Sequence, residues 1–458
     1  VNKGLNAKLI LSIVATGLLS FSGVVVETAT NVTFPTLMKE FNVTTSSVQW
    51  MTTGYLLVAA IMMPLSAFLK NRFTYKKLFA FAASLFASGL LIDVLAPAFL
   101  VLVIGRVVQG IGAGIALPLM FNIILEQAPR NKIGFLMGIG TLITAVAPAI
   151  GPTFGGVIVD AIGWRSIFGL LIPVIIIALI IGIYAIKQVQ EPVKTHLDFL
   201  SVFYIALTFI GLIIGFSNLS KGLGMFLIPV ILGIVFLMLF MKRSNQVEQP
   251  LLNLKVLKNK LFRQHLGAFF LFQMSALGMS FILPNYIQLV DHKSALMAGL
   301  VVLPGAAIGA MFAPVSGILL DNLGARRPII FGSCLQILAM IIFAISGRSL
   351  IVWSILSFYI LYMVGIGTSF GNTMTNGINK LQQSDSADGN GLFNTVQQFA
   401  GAVGTSIISA IVAISQSSVN SFSRAEKTAI GSQHGFIVLL VLLVIGALLL
   451  NNATKKED

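Results

Sequence analysis

The chain has 458 residues, of which 57% are hydrophobic and only 10% charged, and its net charge is +14. Soluble domains average about 25% charged residues, so the composition excludes a large soluble core and reads as a polytopic membrane protein. The positive charge does not imply nucleic-acid binding, because no soluble basic surface is there to carry it, and the single cysteine, Cys334, excludes an internal disulfide and is expected as a packed thiol.

Runs of roughly 20 apolar residues predict fourteen membrane helices, at 9–31, 48–69, 77–97, 99–122, 134–158, 164–186, 199–218, 223–241, 264–287, 296–319, 328–347, 350–372, 390–416 and 433–450. Lys and Arg number about 21 in the connections that include both termini and about 7 in the others. By the positive-inside rule both termini are then cytoplasmic. The first segment is too long for a signal-peptide core and reads as a retained helix.

That first helix carries an acid, Glu27, at membrane depth. Such a residue costs about 2.5–3.5 kcal/mol on insertion scales and is a functional candidate by default. Thr16, Ser20, Gly23, Glu27 and Asn31 fall on one stripe of the helix, which should face protein or water. Helix two opens with Trp50, expected as an interface anchor. The connection after it holds the charge run Lys70-Asn-Arg72, which reads as an orientation signal.

Helix four contains Ile104-Gly-Arg-Val-Val-Gln-Gly-Ile-Gly-Ala-Gly114, in which Arg106, Gln109, Gly110 and Ala113 share a face. An arginine inside a span needs a partner, and Glu27 is the candidate. Two readings follow: a permanent ion pair tying helices one and four, or an exchange site whose proton affinity burial and Arg106 push in opposite senses. Helix five carries Ala147-Pro-Ala-Ile-Gly-Pro-Thr-Phe-Gly-Gly156, then Gly163-Trp-Arg-Ser-Ile-Phe168. Its prolines remove helix hydrogen bonds and its glycines permit close packing beside the bend.

These segments resemble the fourteen-helix drug:H⁺ antiporters of the major facilitator superfamily. The helix-four run is similar to Arg-x-x-Gln-Gly-x-Gly, and the helix-five run to the antiporter motif Gly-x-x-x-Gly-Pro-x-x-Gly-Gly. The resemblance implies an all-α membrane fold of two six-helix bundles with two inserted helices. The expected divisions are 1–190, 191–245 and 246–458, with a basic cytoplasmic stretch opening the last. It implies gating roles for Arg72, Gly151, Pro152, Gly155, Gly156, Asp321 and Arg326. The last two lie in Ser316-Gly-Ile-Leu-Leu-Asp-Asn-Leu-Gly-Ala-Arg-Arg327, a good copy of the family's gating loop, of which 66–77 is a degraded copy.

Further polar and aromatic residues are candidates for a central cavity: Asn31, Gln109, Phe269, Gln273, Tyr286, Asn372, Asn376, Asn394 and Gln398. The amides could equally glue helices together, and the phenylalanines could be packing. Where Phe and Met do face a cavity, they suit flat, greasy, cationic molecules. His196, His265, His292 and His434 fall near span ends without metal-like neighbours. No P-loop, Gly-x-Ser-x-Gly or His-Glu-x-x-His occurs, so neither ATP use nor an enzyme is expected.

The expectation is proton-coupled export of hydrophobic or cationic drugs by alternating access, in a bacterial plasma membrane. It involves no cofactor beyond protons as coupling ion, no nucleic acid, membrane lipids as surroundings, and a monomer. A metabolite or ion exchanger and a lysolipid flippase are the alternatives on the same fold. One departure stands out. Aligning Asn31-Val-Thr-Phe-Pro35 with the family pattern puts Val26 at its usual aspartate and Thr28 at its threonine, so Glu27 lies one residue late, about 100° around the helix.

Overall fold

The computed structural model describes residues 6–129, 133–188, 197–247, 250–382, 385–418 and 421–455. Among these the secondary structure is helical throughout: α1 (Ala7–Glu40), α2 (Thr45–Val48), α3 (Trp50–Arg72), α4 (Tyr75–Leu95), α5 (Phe99–Gln127), α6 (Ile133–Ile162), α7 (Arg165–Ala185), α8 (Phe199–Ser217), α9 (Leu223–Ser244), α10 (Lys260–Leu289), α11 (Ala295–Leu323), α12 (Arg326–Ser346), α13 (Val352–Asn379), α14 (Ser386–Gln416) and α15 (Arg424–Thr454), with two short 3₁₀ turns. Among the described residues, thirteen helices are long and apolar enough to cross a membrane. The short α2 leads into α3 within one of these spans, and α6, expected as a further span, is a helix of 30 residues.

Local chemistry sets the ends. Thr74, Ser294 and Ser423 cap α4, α11 and α15 by accepting backbone N–H bonds, and Glu426 completes a capping box with Ser423. Gly163 and Gly324, at φ +88° and +78°, make the tight turns into α7 and α12.

Two six-helix groups share one packing scheme. In the first, α4 packs on α5 and α7, α3 on α5, and α1 on α6 and α7; in the second, α12 packs on α13 and α15, α11 on α13, and α10 on α14 and α15. The buried stripe of α4 recurs in α12 one repeat on: Leu78, Phe79, Ala82, Ala83 and Phe86 correspond to Pro328, Ile329, Gly332, Ser333 and Gln336. Helices α8 and α9 form a hairpin whose α8 rests on α3 and α14. Only Gly233, Phe240 and Ser244 of α9 are buried. Asp198, before α8, holds Arg243 of α9 at 3.0 Å.

The halves meet at α6 against α11, α3 against α14, and α1 against α10. We call the end where α1 begins and α15 finishes the terminal face, and the other the distal face. Every hydrogen bond between described residues of the two halves lies in the distal half of the bundle. Asn31 donates to Ser280 at 2.9 Å, Gln288 to the Val32 carbonyl at 2.9 Å, Thr153 to the Gly299 carbonyl at 3.1 Å, and Thr45 to Gln416 at 2.6 Å. Toward the terminal face, residues 311–315 of α11 are all exposed, Met311 at 71%. The described hydrogen bonds between the halves thus tie the distal half of the bundle, where an open pocket of about 610 Å³ is also lined by both halves, Met38 and Thr45 from one and Gln416 and Arg424 from the other.

Cys334 corrects an expectation. It is exposed on the outside of α12 rather than packed, because the helix turns Ser333 inward and the next residue, about 100° on, outward.

Candidate functional site

The polar stripe of α1 is buried as one unit, with Thr16, Ser20, Gly23, Glu27 and Asn31 all below a tenth exposed. Gly23 lets α1 close on α3, since a Cβ there would lie 2.9 Å from the Tyr55 hydroxyl. Glu27 is 8% exposed and borders a narrow cleft lined by Ser20, Val24, Tyr55, Ala59, Ala113 and Gln398, among others. The cleft offers about 20 Å³ to a water-sized solute, room for about one water molecule. No described residue donates a hydrogen bond to Glu27, and its neighbours Val26 and Thr28 point elsewhere: Val26 is fully buried and Thr28 packs against Gly151 of α6.

Arg106 is fully buried near the cleft. Its Nε donates to the Met51 carbonyl at 2.9 Å, its Nη1 to Gln109 Oε1 at 2.6 Å, and its guanidinium lies 4.4 Å above the Tyr55 ring. Glu27 is within its electrostatic reach but not in an ion pair with it. Of the two readings, the permanent ion pair is thus not formed: Tyr55 occupies the face of the guanidinium, and the hydrogen bonds of Arg106 run to α3 and along α5. Those bonds lead to an acid that the sequence reading passed over. Gln109 Nε2 donates to Asp93 Oδ2 at 2.7 Å, and Asp93, in α4, is fully buried. The signal was available, since Asp93 is an acid inside the span expected at 77–97.

The remaining cavity candidates divide. Gln398 reaches the Glu27 cleft from the second half. Gln273 is 9% exposed. The others are engaged inside helix contacts and do not line the cleft. Asn31 bridges Thr52 and Ser280, and Gln109 bridges Arg106 and Asp93. Phe269 stacks on Phe370 at 4.3 Å and meets Phe393 edge-on. Tyr286 is fully buried near the distal end of α10. Asn372 pins α13 to Ser316 of α11, Asn376 meets His265 Nε2 at 3.0 Å, and Asn394 donates to the Asn390 carbonyl one turn back. A buried amide without a partner costs about 1–3 kcal/mol, which is why these side chains turn into helix contacts.

The expected gating residues also separate. Gly151 packs on Thr28 and Val25 of α1, Gly155 on Ala29, and Gly156 on Ala295 of α11, while Gly299 of α11 lies on the Pro152 carbonyl. The α6 motif is therefore the seam between α1 and the second half. Arg72 is exposed at the terminal end of α3, where Lys70 instead pairs with Glu126 at 2.6 Å. Arg326 begins α12 and is half-buried, and the Asp321 side chain lies outside the described residues. Trp164 and Arg165 converge on Glu40, at 2.6 and 2.8 Å, with the guanidinium stacked on the indole.

The sequence profile of the Major Facilitator Superfamily matches residues 16–405. The chain belongs to this superfamily. It is a multi-pass membrane protein and a transporter rather than an enzyme. It is 35% identical to the lincomycin resistance protein LmrB of Bacillus subtilis (strain 168), over 94% of this chain and 92% of that one. It is 27% identical to a multidrug resistance protein B homolog of Mycobacterium tuberculosis (strain ATCC 25618 / H37Rv), over 89% of this chain and 77% of that one. The fold is similar to a bacterial homolog of the human lysosomal transporter Spinster, in an inward-facing and unoccupied conformation (TM-score 0.70, 16% identity, 99% of this chain and 98% of that one). It is also similar to a D-xylose-proton symporter (TM-score 0.67, 15% identity, 98% and 96%).

Proposed function

We propose that this transporter exports hydrophobic, often cationic drugs in exchange for protons, in a bacterial plasma membrane with both termini in the cytoplasm. The relatives named for lincomycin and multidrug resistance support the substrate class. The excess of Lys and Arg on the terminal face supports the orientation. The observation that carries the coupling is Glu27: a buried carboxylate, free of hydrogen bonds from described residues, bordering a cleft between the halves. Such a group can hold a proton or face a cationic substrate, and the two compete for one charge. In the outward state Glu27 takes a proton from the acidic exterior. In the inward state a cationic drug in the cleft favours the ionised form, and the proton leaves to the cytoplasm.

Dye efflux into inverted vesicles tests this. Efflux is expected to collapse with a protonophore and with Glu27→Gln. Transport indifferent to both would remove proton coupling, and an unaffected Glu27→Gln protein would remove Glu27 from it.

A further inference from the structure

The first half buries three ionisable side chains together: Glu27 of α1, Arg106 of α5 and Asp93 of α4. Their relative exposures are 8%, 0% and 0%. Arg106 lies within electrostatic reach of both acids. It is joined to Asp93 through Gln109 by bonds of 2.6 and 2.7 Å. Asp93 Oδ1 and Arg106 Nη2 are both buried without a hydrogen-bond partner among the described residues. Asp93 is also held tightly, pressed against Gly105 of α5, where a Cβ would overlap its carboxylate.

The fold does not require an acid at this place. The repeat that maps Leu78 and Phe79 of α4 onto Pro328 and Ile329 of α12 maps Asp93 onto Phe343. Phe343 is fully buried in an aromatic cluster with Phe358 and Phe436. One half closes this position with an aromatic ring, and the other with a charge.

Charge accounting shows what Asp93 adds. Glu27 and Arg106 alone are neutral together, so they create no demand for a cation. With Asp93 ionised, the three groups sum to one negative charge. A buried cluster of one net charge is strongly disfavoured at low dielectric, and one proton or one monovalent cation cancels it. The proton affinity of Glu27 then depends on all three groups. Other charges nearby are already matched: Arg165 of α7, which reaches the Ala96 carbonyl one turn beyond Asp93, is paired with Glu40 of α1. Tyr55 of α3 is the remaining titratable group facing Arg106, and it is neutral at working pH.

Resting on the proton-exchange reading above, we infer that Asp93 is a positioning residue of the transport site. It neutralises Arg106 and so leaves Glu27 as the uncompensated charge that accepts either one proton or one monocationic substrate. The exchange unit is the three-residue cluster, and its natural cargo is a lipophilic cation of single charge, exchanged for one proton.

The test uses the full-length protein in detergent and the lipophilic monocation tetraphenylphosphonium, with affinity and proton release recorded between pH 6 and 8. Wild type is expected to release about one proton per cation bound. Asp93→Asn should weaken binding by about tenfold or more, in the range for loss of a desolvated charge partner, and flatten its pH dependence. The double variant Asp93→Asn with Arg106→Gln restores one net negative charge and should recover binding. Asp93→Ser serves if Asp93→Asn is not monodisperse. A neutral variant that binds with native affinity and proton release overturns the inference. So does a folded double variant that stays defective, because a structural role for Asp93 would not be rescued by removing a charge. If Glu27→Gln is defective while Asp93→Asn is native, this inference alone falls. If Glu27→Gln is itself native, the exchange reading falls with it.

Discussion

Thr153 of α6 donates its hydroxyl to the carbonyl of Gly299 of α11 at 3.1 Å, across the line where the two halves meet. The bond is possible because Gly299 sits directly on the Pro152 carbonyl and Gly156 sits on Ala295. A methyl group at Gly299 would overlap the Pro152 oxygen and lie 2.8 Å from Thr153 Cα. Gly299→Ala should therefore cost the distal-closed state about 1–3 kcal/mol, the usual range for overpacking. It should shift the transporter toward the distal-open state. Cysteines placed at Asp160 and Leu296, in a Cys334→Ser background, report it by cross-linking. The yield should fall in Gly299→Ala and stay native in Gly317→Ala, where an added methyl meets nothing within 4 Å. Equal yields in both would rule the seam out as the distal gate.

Much of the scaffold was legible because it is written in composition and spacing. Long apolar runs give helices, and Gly-Pro-x-x-Gly-Gly predicts close packing. Asp160 shows a further detail that spacing does not carry: its carboxylate accepts the Leu296 N–H at 2.8 Å, tying α6 to the start of α11. The candidate site was legible only in part. Glu27 and Arg106 stood out as charges at membrane depth, but their contact is decided by Tyr55, whose ring takes the guanidinium face. The amides were harder still. Asn372 and Gln398 look alike in sequence, yet one is consumed by Ser316 and the other borders the cleft. Periodicity gives a helix face, and only the neighbour across that face decides whether it lines a cavity.

At the distal face, Glu40 accepts hydrogen bonds from Trp164 and Arg165, and Arg165 stacks 4.1 Å from the indole centre. The Arg165 and Glu40 side chains are 42% and 38% exposed, so solvent screens the ion pair. Arg165→Ala is expected to destabilise the first half by about 1 kcal/mol, most of it from lost stacking and the bond to the Ala96 carbonyl. Thermal unfolding in detergent at low and high salt checks this. A loss that disappears entirely at high salt would mean that the ion pair, not the stack, is the source.

The α8–α9 hairpin is pinned at the terminal face by Asp198. Burial opposes ionisation there, but hydrogen bonds from Arg243 and Ser201 outweigh it and hold the carboxyl below its ordinary value. A group whose proton affinity is lowered by folding contributes stability above its unfolded pKa, about 3.9, and loses it as pH falls through the folded value. Asp198→Asn should therefore loosen the hairpin at neutral pH, seen as faster amide exchange near Ser201 and Arg243. The difference from wild type should shrink below about pH 4. A difference that persists undiminished in acid would show that the carboxylate charge is not what holds the hairpin.

The contrast between Phe269 and Gln398 separates core from cleft among residues that the sequence treats alike. Phe269 is fully buried between Phe370 and Phe393. Phe269→Ala removes a ring from a packed aromatic cluster and should cost about 3–5 kcal/mol of stability, lowering the amount of folded protein while leaving the drug profile of what remains unchanged. Gln398 borders the Glu27 cleft and makes no hydrogen bond to a described residue. Gln398→Ala should leave stability within about 0.5 kcal/mol. Its effect should appear instead in the concentration dependence of efflux, as a change of roughly threefold or more in apparent affinity, the worth of about one hydrogen bond to the substrate. Efflux titrations normalised to folded protein, run beside thermal unfolding, measure both at once. An altered drug profile in Phe269→Ala with native stability would put the aromatic cluster in the cavity wall, and a native efflux curve in Gln398→Ala would take Gln398 out of it.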